Sequence, residues 1–223
     1  MKSSHQDGQP LAFDIDGLQS HLVTLLTDIP AGQRRVLAIA GPPAAGKSFI
    51  ADQVVAYLNE HCAAGCTALL PMDGFHFDDE LLERQGLRQR KGAEFTFDVA
   101  GLRSTLGRLV ENREPSVVVP RFDREIEIAR AGAISIDRHA RLIICEGNWL
   151  LLDQEPWRSL LDYFDYRAMV VVDPVRLEER NRDRWVQAGM SEDAIEQKLQ
   201  DNDMPNVRLV ISGSVAPDWT ISN

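Results

Sequence analysis

The residues best suited to chemistry lie in one short stretch, AIAGPPAAGKS, at positions 38–48. It fits the pattern G-x-x-x-x-G-K-S/T, in which backbone N–H groups surround phosphate oxygens. We expect Lys47 to reach the β- and γ-phosphates of a nucleotide and Ser48 to bind Mg²⁺. The alternative is an ordinary glycine-rich turn between a strand and a helix. The residues expected to contact the nucleotide are Gly41, Pro42, Pro43, Ala44, Ala45, Gly46, Lys47, Ser48 and Phe49.

Two carboxylates follow apolar runs elsewhere in the chain. Asp73 ends TALLPMD (67–73), and Glu146 lies near the end of RLIICEG (141–147). The carboxyl ends of strands in an open α/β sheet face the ligand crevice, so both side chains point to the same region. Asp73 could orient and deprotonate an acceptor hydroxyl, or it could cap the following turn. Glu146 could help to hold Mg²⁺, or it could pair with a buried arginine.

An arginine-rich segment, VRLEERNRDRW (175–185), supplies cations that could meet a transferring phosphoryl group. Arg176, Arg180 and Arg184 have i, i+4, i+8 spacing and share one helical face, with Arg182 on another side. The interleaved Glu178, Glu179 and Asp183 leave open a salt-bridged surface helix. The position between a strand ending MVVVD and the polar AGMSEDAIEQ favours a lid over about 176–200.

The elements that must position these residues alternate between strand and helix. Nearly continuous apolar runs predict buried strands at 35–41, 67–73, 116–123, 141–147, 166–173 and 207–212. Helices are predicted near 14–28, from the phosphate loop to about 61, from Asp98 to about 112, and from Pro174 onward. EIEIARAGAISID (125–137) alternates with period 2, which indicates a hairpin or flap. The pattern predicts a three-layer α/β fold with a mostly parallel, doubly wound sheet, in one domain spanning 1–223.

Composition limits the classes of function. The 223 residues are 44% hydrophobic and 26% charged, which is typical of a globular protein. The formal net charge of −10 argues against a nucleic-acid-binding protein. No apolar run approaches the length of a membrane helix, and the opening MKSSHQDGQP lacks the apolar core of a signal peptide. Three cysteines do not form a disulfide framework, so we expect a cytoplasmic protein.

A family resemblance rests on an ordered set of stretches. GPPAAGKS, MDGFHFDD, RKGAEFTFD, PRFDRE, CEGNWLLLD, RLEERNRDRW and NDMPN together resemble the uridine kinase, phosphoribulokinase and pantothenate kinase group of P-loop kinases. Within that group the chain is most similar to a bacterial branch labelled fructose transport system kinase. The resemblance covers about residues 35–212.

This resemblance implies roles for individual residues. Asp73 is implied as the base, Glu146 as part of the Mg²⁺ site, and Arg180 and Arg184 as lid arginines that approach the phosphates. The acceptor side is implied to contain His76, Arg90, Lys91, Asp98, Arg121 and Asp123. As alternatives, Asp98 could be a helix N-cap and Arg121 a structural ion-pair partner.

The function expected from this resemblance is transfer of the γ-phosphate of ATP, with Mg²⁺, to a hydroxyl of a small molecule. A sugar or related polyol is the first expectation, and a nucleoside or pantothenate-like acceptor is the alternative. Gly74, Phe75, His76 and Phe77 after the aspartate, and PRFD where a tyrosine-containing version is common, depart from uridine kinases. A non-catalytic ATP-binding regulator is the alternative of another class. A homodimer is left open.

Overall fold

The computed structural model describes residues 9–223, so most of the polar opening stretch, residues 1–8, lies outside the described residues. The strands are β1 (Leu11–Phe13), β2 (Arg35–Ala40), β3 (Thr67–Pro71), β4 (Ser116–Asp123), β5 (Ile128–Asp137), β6 (Leu142–Gly147), β7 (Tyr166–Val171) and β8 (Trp219–Ser222). Six of them form a parallel sheet in the order β1-β8-β7-β2-β6-β3. The predicted α/β fold with a mostly parallel sheet is therefore confirmed.

The helices are α1 (Ile15–Asp28), α2 (Lys47–His61), α3 (Asp79–Arg84), α4 (Val99–Glu111), α5 (Pro174–Gln187), α6 (Glu192–Lys198) and α7 (Met204–Gly213). Short 3₁₀ turns cover Met72–Phe75, Arg88–Arg90 and Trp157–Tyr163, and a π turn covers Leu199–Asp203. Within residues 9–223, no helix combines the length and hydropathy needed to cross a membrane.

Two apolar layers cover the two faces of the parallel sheet. Along β2, Leu37 and Ile39 pack with α1 and α2, whereas Val36, Ala38 and Ala40 pack with α4 and the buried tryptophans of the other layer. Successive side chains of a strand point to opposite faces, so a strand covered on both sides is apolar throughout. This is the physical basis of the continuous apolar runs and of the three-layer arrangement.

β4 and β5 form a separate antiparallel pair outside the parallel sheet. The prediction that 116–123 is buried on both faces like the other strands is wrong, because Val117 and Val119 are buried while Val118 is 51% exposed. Period-2 burial is what a strand with one solvated face requires. The prediction of a hairpin or flap over 125–137 is confirmed, with β5 as its second strand.

The predicted strand at 207–212 is also wrong, because these residues lie in α7. Val207 and Val210 are buried at helical spacing, while Arg208 and Ile211 are exposed. A short apolar run fits a strand and a buried helix equally well by composition alone. The strands that were missed, β1 and β8, are three and four residues long and lie at one edge of the sheet.

Candidate active site

The phosphate loop connects β2 to α2 and follows an irregular backbone path. Ala44 (φ 63°) and Gly46 (φ 88°) both have left-handed backbone conformations. A Cβ at Gly41 would lie 3.1 Å from the carbonyl oxygen of Val170, so a glycine lets the loop approach β7 closely. Lys47 is buried, and its Nζ donates to the carbonyl oxygen of Pro42 at 2.8 Å. The charged Nζ of Lys47 therefore lies against the phosphate loop.

Glu146 lies beside this loop because β6 is the neighbour of β2, with Ile39 opposite Glu146 in the register. The carboxylate is 5% exposed and its Oε2 accepts a hydrogen bond from Ser48 Oγ at 3.2 Å. Burial, with repulsion from Asp73, raises the pKa of Glu146 to about 7, while Lys47 opposes this shift. Burial likewise lowers the pKa of Lys47 to about 8, against the attraction of both carboxylates.

Asp73 comes close to Glu146 through the pairing of β3 with β6. Pro71 is opposite Glu146, and the 3₁₀ turn that follows β3 carries Asp73 over the end of the sheet. A Cβ at Gly147 would lie 2.4 Å from the Cβ of Met72. Glycine after Glu146 is therefore required for the turn with Asp73 to pack against the end of β6.

Cations hold Asp73 in its ionised form. Burial alone would raise the pKa of Asp73, but attraction from His76, Arg124 and Lys47 outweighs burial and lowers it. Arg124 Nη2 donates to Asp73 Oδ2 at 2.7 Å. Burial lowers the pKa of His76, so this ring is neutral at neutral pH. The positive charges that keep Asp73 ionised there are those of Arg124 and Lys47. This leaves Oδ1 of the carboxylate to accept a further hydrogen bond.

His76 is fixed between two aromatic rings, with centroid distances of 4.0 Å to Phe97 and 4.8 Å to Phe122. Its Nδ1 lies 2.8 Å from the carbonyl oxygen of Asp73. A carbonyl oxygen only accepts, so Nδ1 carries the proton and donates. With the pKa lowered by burial, Nε2 is an unprotonated acceptor at neutral pH.

These groups open onto one cavity of about 1400 Å³. The phosphate loop contributes Pro43, Ala44, Gly46, Lys47, Ser48 and Phe49 to its lining. Asp73, His76, Arg90, Lys91, Glu146 and Arg184 also line it. The cavity therefore brings together six of the nine predicted nucleotide residues, both carboxylates and part of the predicted acceptor side, whereas Gly41, Pro42 and Ala45 of the loop are not part of its lining.

The two arginines predicted on the lid take different positions. Arg184 lines the cavity, and its guanidinium lies 4.6 Å from the ring centroid of Trp185. Arg180 instead donates from Nη1 to the carbonyl oxygen of Ala44 at 3.4 Å, which joins α5 to the phosphate loop. Arg182, on the other side of α5, forms ion pairs with Glu192 and Glu196 of α6.

Three predicted acceptor residues are not brought to the cavity. The carboxylate of Asp98 accepts from Gly101 N at 2.8 Å, so Asp98 is the N-cap of α4, as the alternative reading held. Asp123 pairs with Arg130 at 3.3 Å along the flap, and Arg121 is an exposed residue of the same strand. Neither residue is part of the cavity lining, which contains Phe122 and Arg124 instead.

The β4–β5 pairing is irregular where this one-residue difference arises. Val119 is opposite Ile134 but Arg121 is opposite Arg130, so the register shifts between Val119 and Arg121 and the extra residues lie on β5. Strict alternation from the buried Val117 and Val119 would turn Arg121 inward, but beyond the irregularity Arg121 is exposed and Phe122 is half-buried. Phe122, together with Arg124 just after the strand, lines the cavity instead. Pro120 is the signal in the sequence, because proline within a strand is confined to edges and bulges. Arg124, which sequence reasoning missed, therefore contacts Asp73.

The comparisons with known proteins agree with this geometry. No family profile matches the chain. A protein of Schizosaccharomyces pombe named "Putative uridine kinase C227.14" is 33% identical over 217 residues, which is 94% of this chain and 90% of that protein. A pantothenate kinase of Limosilactobacillus reuteri is 30% identical over 144 residues, or 64% of this chain and 47% of that kinase.

A solved structure extends the comparison to the fold. It is described as a "putative fructose transport system kinase" from Silicibacter sp. TM1040, and is 34% identical with a TM-score of 0.84. The match covers 93% of this chain and 98% of that one. The parallel sheet and the phosphate loop thus define a P-loop kinase, a phosphotransferase whose class uses ATP and Mg²⁺. The chain belongs to the uridine kinase and pantothenate kinase group of these enzymes.

Proposed function

We propose that this protein transfers the γ-phosphate of MgATP to a hydroxyl of a small-molecule acceptor, a sugar or related polyol. The observation that carries the proposal is the pair of carboxylates in one cavity, with opposite pKa shifts and different partners. Asp73 is ionised and contacts Arg124, whereas Glu146 is buried against Ser48. Two acids in such different environments suit two different tasks.

The phosphate side is assigned to the loop and the cations around it. MgATP, when bound, supplies the phosphoryl group and the metal charge that offsets its oxygens. The backbone of residues 41–49 would hold the phosphates, with Lys47 neutralising their charge. Arg184 faces the same cavity and would stabilise charge on the transferring group, while Arg180 holds α5 against the loop at Ala44.

The donor set beside the loop fits Mg²⁺. This cation prefers hard oxygen ligands and retains several waters, so one hydroxyl and one carboxylate suffice from the protein. Ser48 Oγ and Glu146 Oε2 are already within 3.2 Å of each other. Within residues 9–223 there is no cluster of three or more His, Cys, Asp and Glu suited to a metal ion, so the site suits a solvated metal that also binds phosphate oxygens.

Asp73 is assigned as the base. Arg124 occupies one oxygen of its carboxylate, and the other is free to accept the proton of an acceptor hydroxyl as that oxygen attacks the γ-phosphorus. His76 Nε2 would accept a hydrogen bond from a second hydroxyl and orient the acceptor. Arg90 and Lys91 lie on the same side of the cavity.

The acceptor wall favours a polyol over a flat base. The ring of Phe122 already packs against His76 at 4.8 Å and against Lys91 Nζ at 5.1 Å, which leaves little of it for stacking. The other side chains on this side of the cavity are cations, carboxylates and one amide, namely Arg88, Gln89, Arg90, Lys91, Glu125 and Glu127. Such groups reject ligands that leave them unpaired, so a hydroxyl-rich molecule suits them best.

The test is ADP release measured with a coupled assay over a panel of sugars, polyols, nucleosides and pantothenate. We expect acceptor-dependent ADP release with a sugar or polyol. Lys47→Ala is the matched control, since loss of one group that stabilises transition-state charge lowers rates by about 10²–10³-fold. If ADP is released with a nucleoside or with pantothenate but with no sugar or polyol, that compound replaces the polyol as the proposed acceptor. ATP binding without ADP release for every acceptor would indicate the non-catalytic regulator.

A further inference from the structure

The stretch NDMPN, residues 202–206, is part of the family resemblance but has no role in the proposed reaction. It begins within the π turn Leu199–Asp203 and continues into α7. Asn202 and Asp203 are only 3% and 5% exposed. Single π turns are rare in helices and are frequent at functional sites. Two adjacent buried polar residues at such a turn require partners, and their partners lie in different parts of the cavity.

Both ends of the Asn202 side-chain amide contact the acceptor side, and the amide also lies close enough to Asp203 to favour the ionised form of that carboxyl. Arg90 Nε donates to Asn202 Oδ1 at 3.2 Å, and Asn202 Nδ2 donates to the carbonyl oxygen of Lys91 at 3.2 Å. We call residues 88–94 the acceptor-side loop. Its far end is held separately, since Trp149 and Trp157 donate to the carbonyl oxygens of Gly92 and Glu94. Asn202 therefore fixes the near end of this loop, at Arg90 and Lys91.

Asp203 contacts a different element, α5, through Trp185. Its Oδ2 accepts from Trp185 Nε1 at 2.5 Å. The indole ring carries two cations, because the guanidinium of Arg184 and the Nζ of Lys198 each lie 4.6 Å from its centroid. Both cations line the cavity, and cation–π attraction favours these positions over free rotation. Fixing the ring thus fixes the two charges beside it.

We propose that Asn202 and Asp203 are positioning residues with separate targets. Asn202 holds the acceptor-side loop, and Asp203 holds Trp185 and with it the cavity-lining cations Arg184 and Lys198. Because Asn202 and Asp203 are adjacent in one π turn, they fix the position of the acceptor-side loop relative to Arg184 and Lys198. Lys198 thereby becomes a second lid cation. The assignment of the acceptor and the phosphates to these parts of the cavity rests on the proposed function. The contacts of Asn202 and Asp203 do not depend on it.

The first test measures hydrogen–deuterium exchange and the binding of MgAMP-PNP, a non-hydrolysable analogue of MgATP. Asn202→Ala is expected to speed amide exchange at residues 88–91, leave residues 93–97 unchanged, and alter the analogue's Kd less than twofold. Asp203→Ala is expected to raise that Kd about tenfold, as loss of a hydrogen bond to a charged group implies, and to leave residues 88–91 unchanged.

Matched variants separate this inference from general destabilisation. Gln200→Ala removes an exposed side chain of the same turn, which is hydrogen-bonded to Glu196, and is expected to behave as wild type. Asp203→Asn keeps an acceptor oxygen for Trp185 but removes the charge that attracts Arg184 and Lys198 directly. Because the hydrogen bond to Trp185 positions the ring, the Kd of this variant is expected to stay well below that of Asp203→Ala. Trp185→Phe deletes the donor, so its effect on Kd should not add to that of Asp203→Ala. If Asp203→Ala does not fold, Trp185→Phe provides an independent test of the same hydrogen bond.

Kinetics with the acceptor found in the panel provide the final readout. Asn202→Ala should raise the acceptor KM and Asp203→Ala the ATP KM, a split that a purely structural role would not produce. The inference is overturned if both variants loosen both regions alike, or if Asn202→Ala leaves residues 88–91 unchanged. If no acceptor yields ADP, the proposed function fails, while exchange and analogue binding still decide this inference.

Discussion

At the residue scale, Asp73 and Glu146 are similar acids at the ends of adjacent strands whose pKa values move in opposite directions. Asp73 is surrounded by cations, and its pKa is lowered although burial opposes this. Glu146 has Ser48 as its hydrogen-bond partner, and burial raises its pKa to about 7. The difference comes from where Arg124 lies, since it contacts Asp73 directly. The two carboxylates should therefore respond differently to amide substitution.

We expect Asp73→Asn to lower kcat by about 10²–10⁴-fold, because the amide cannot take the acceptor proton, with little change in ATP binding. Glu146→Gln should instead raise the Mg²⁺ concentration needed for half-maximal rate, because a neutral amide is a weaker ligand. Initial rates over a series of ATP and Mg²⁺ concentrations separate the two effects. Equal Mg²⁺ shifts in both variants, or normal turnover by Asp73→Asn, would contradict these assignments.

At the element scale, glycines let backbone segments approach closely around the site. A Cβ at Gly74 would lie 2.5 Å from the carbonyl oxygen and 2.7 Å from the carbonyl carbon of Pro120. These are backbone atoms of β4, so they cannot move aside as a flexible side chain would. The contact holds the 3₁₀ turn against β4, which Arg124 directly follows, and so helps to set the distance between Asp73 and Arg124.

Gly74→Ala is expected to destabilise the protein by about 1–3 kcal/mol, as overpacking does, and to lower kcat by displacing Asp73 from Arg124. Gly107→Ala is the matched control. Its Cβ would have only ordinary contacts, at 3.7 Å or more, and glycine within a helix costs about 0.5–1 kcal/mol relative to alanine. Denaturant unfolding should therefore shift in opposite directions for the two variants. If Gly74→Ala leaves the free energy of unfolding unchanged, β4 must move away from the 3₁₀ turn to make room for the added methyl group.

At the scale of the whole molecule, the protein keeps a buried acid that is costly to ionise. The pKa of Glu146 is raised from 4.5 to about 7 in the folded state. Between these pH values the folded chain binds more protons than the unfolded chain, so stability from this group falls as pH rises from about 4.5 through 7. The fold thus tolerates an unfavourable charge at a site proposed to bind Mg²⁺.

We therefore expect Glu146→Gln to gain stability relative to wild type as pH rises from about 5 to 8, by about 1–3 kcal/mol. Urea unfolding in Mg²⁺-free buffer with a chelator measures this difference. Glu179→Gln, on the exposed side of α5, controls for the loss of one charge. The expectation fails if the two variants show the same change with pH. Added Mg²⁺ should stabilise wild type more than Glu146→Gln if Glu146 binds the metal.

Local sequence determined the phosphate loop, the strands buried on both faces and the capped helices α1, α2, α4 and α5. Each depends on residues close together in the chain, such as Gly46 before Lys47 or Asp98 before α4. Because both residues follow predicted strands, the sequence also predicted that Asp73 and Glu146 lie in the same region. Local periodicity did not decide that 207–212 is a helix, because the packing of Val207 and Val210 against two different layers makes that choice.

Which flap residues reach the site depends on long-range pairing. Phe122 and Arg124, rather than Arg121 and Asp123, line the cavity beyond the register shift between Val119 and Arg121, and that shift depends on pairing with β5. The contacts of Asn202 and Asp203 join segments 111 and 18 residues away, so they arise only after the chain has folded. The types and spacing of charged residues are properties of the sequence. Which residues contact each other across long separations is set by packing, and packing therefore sets the opposite pKa shifts of Asp73 and Glu146.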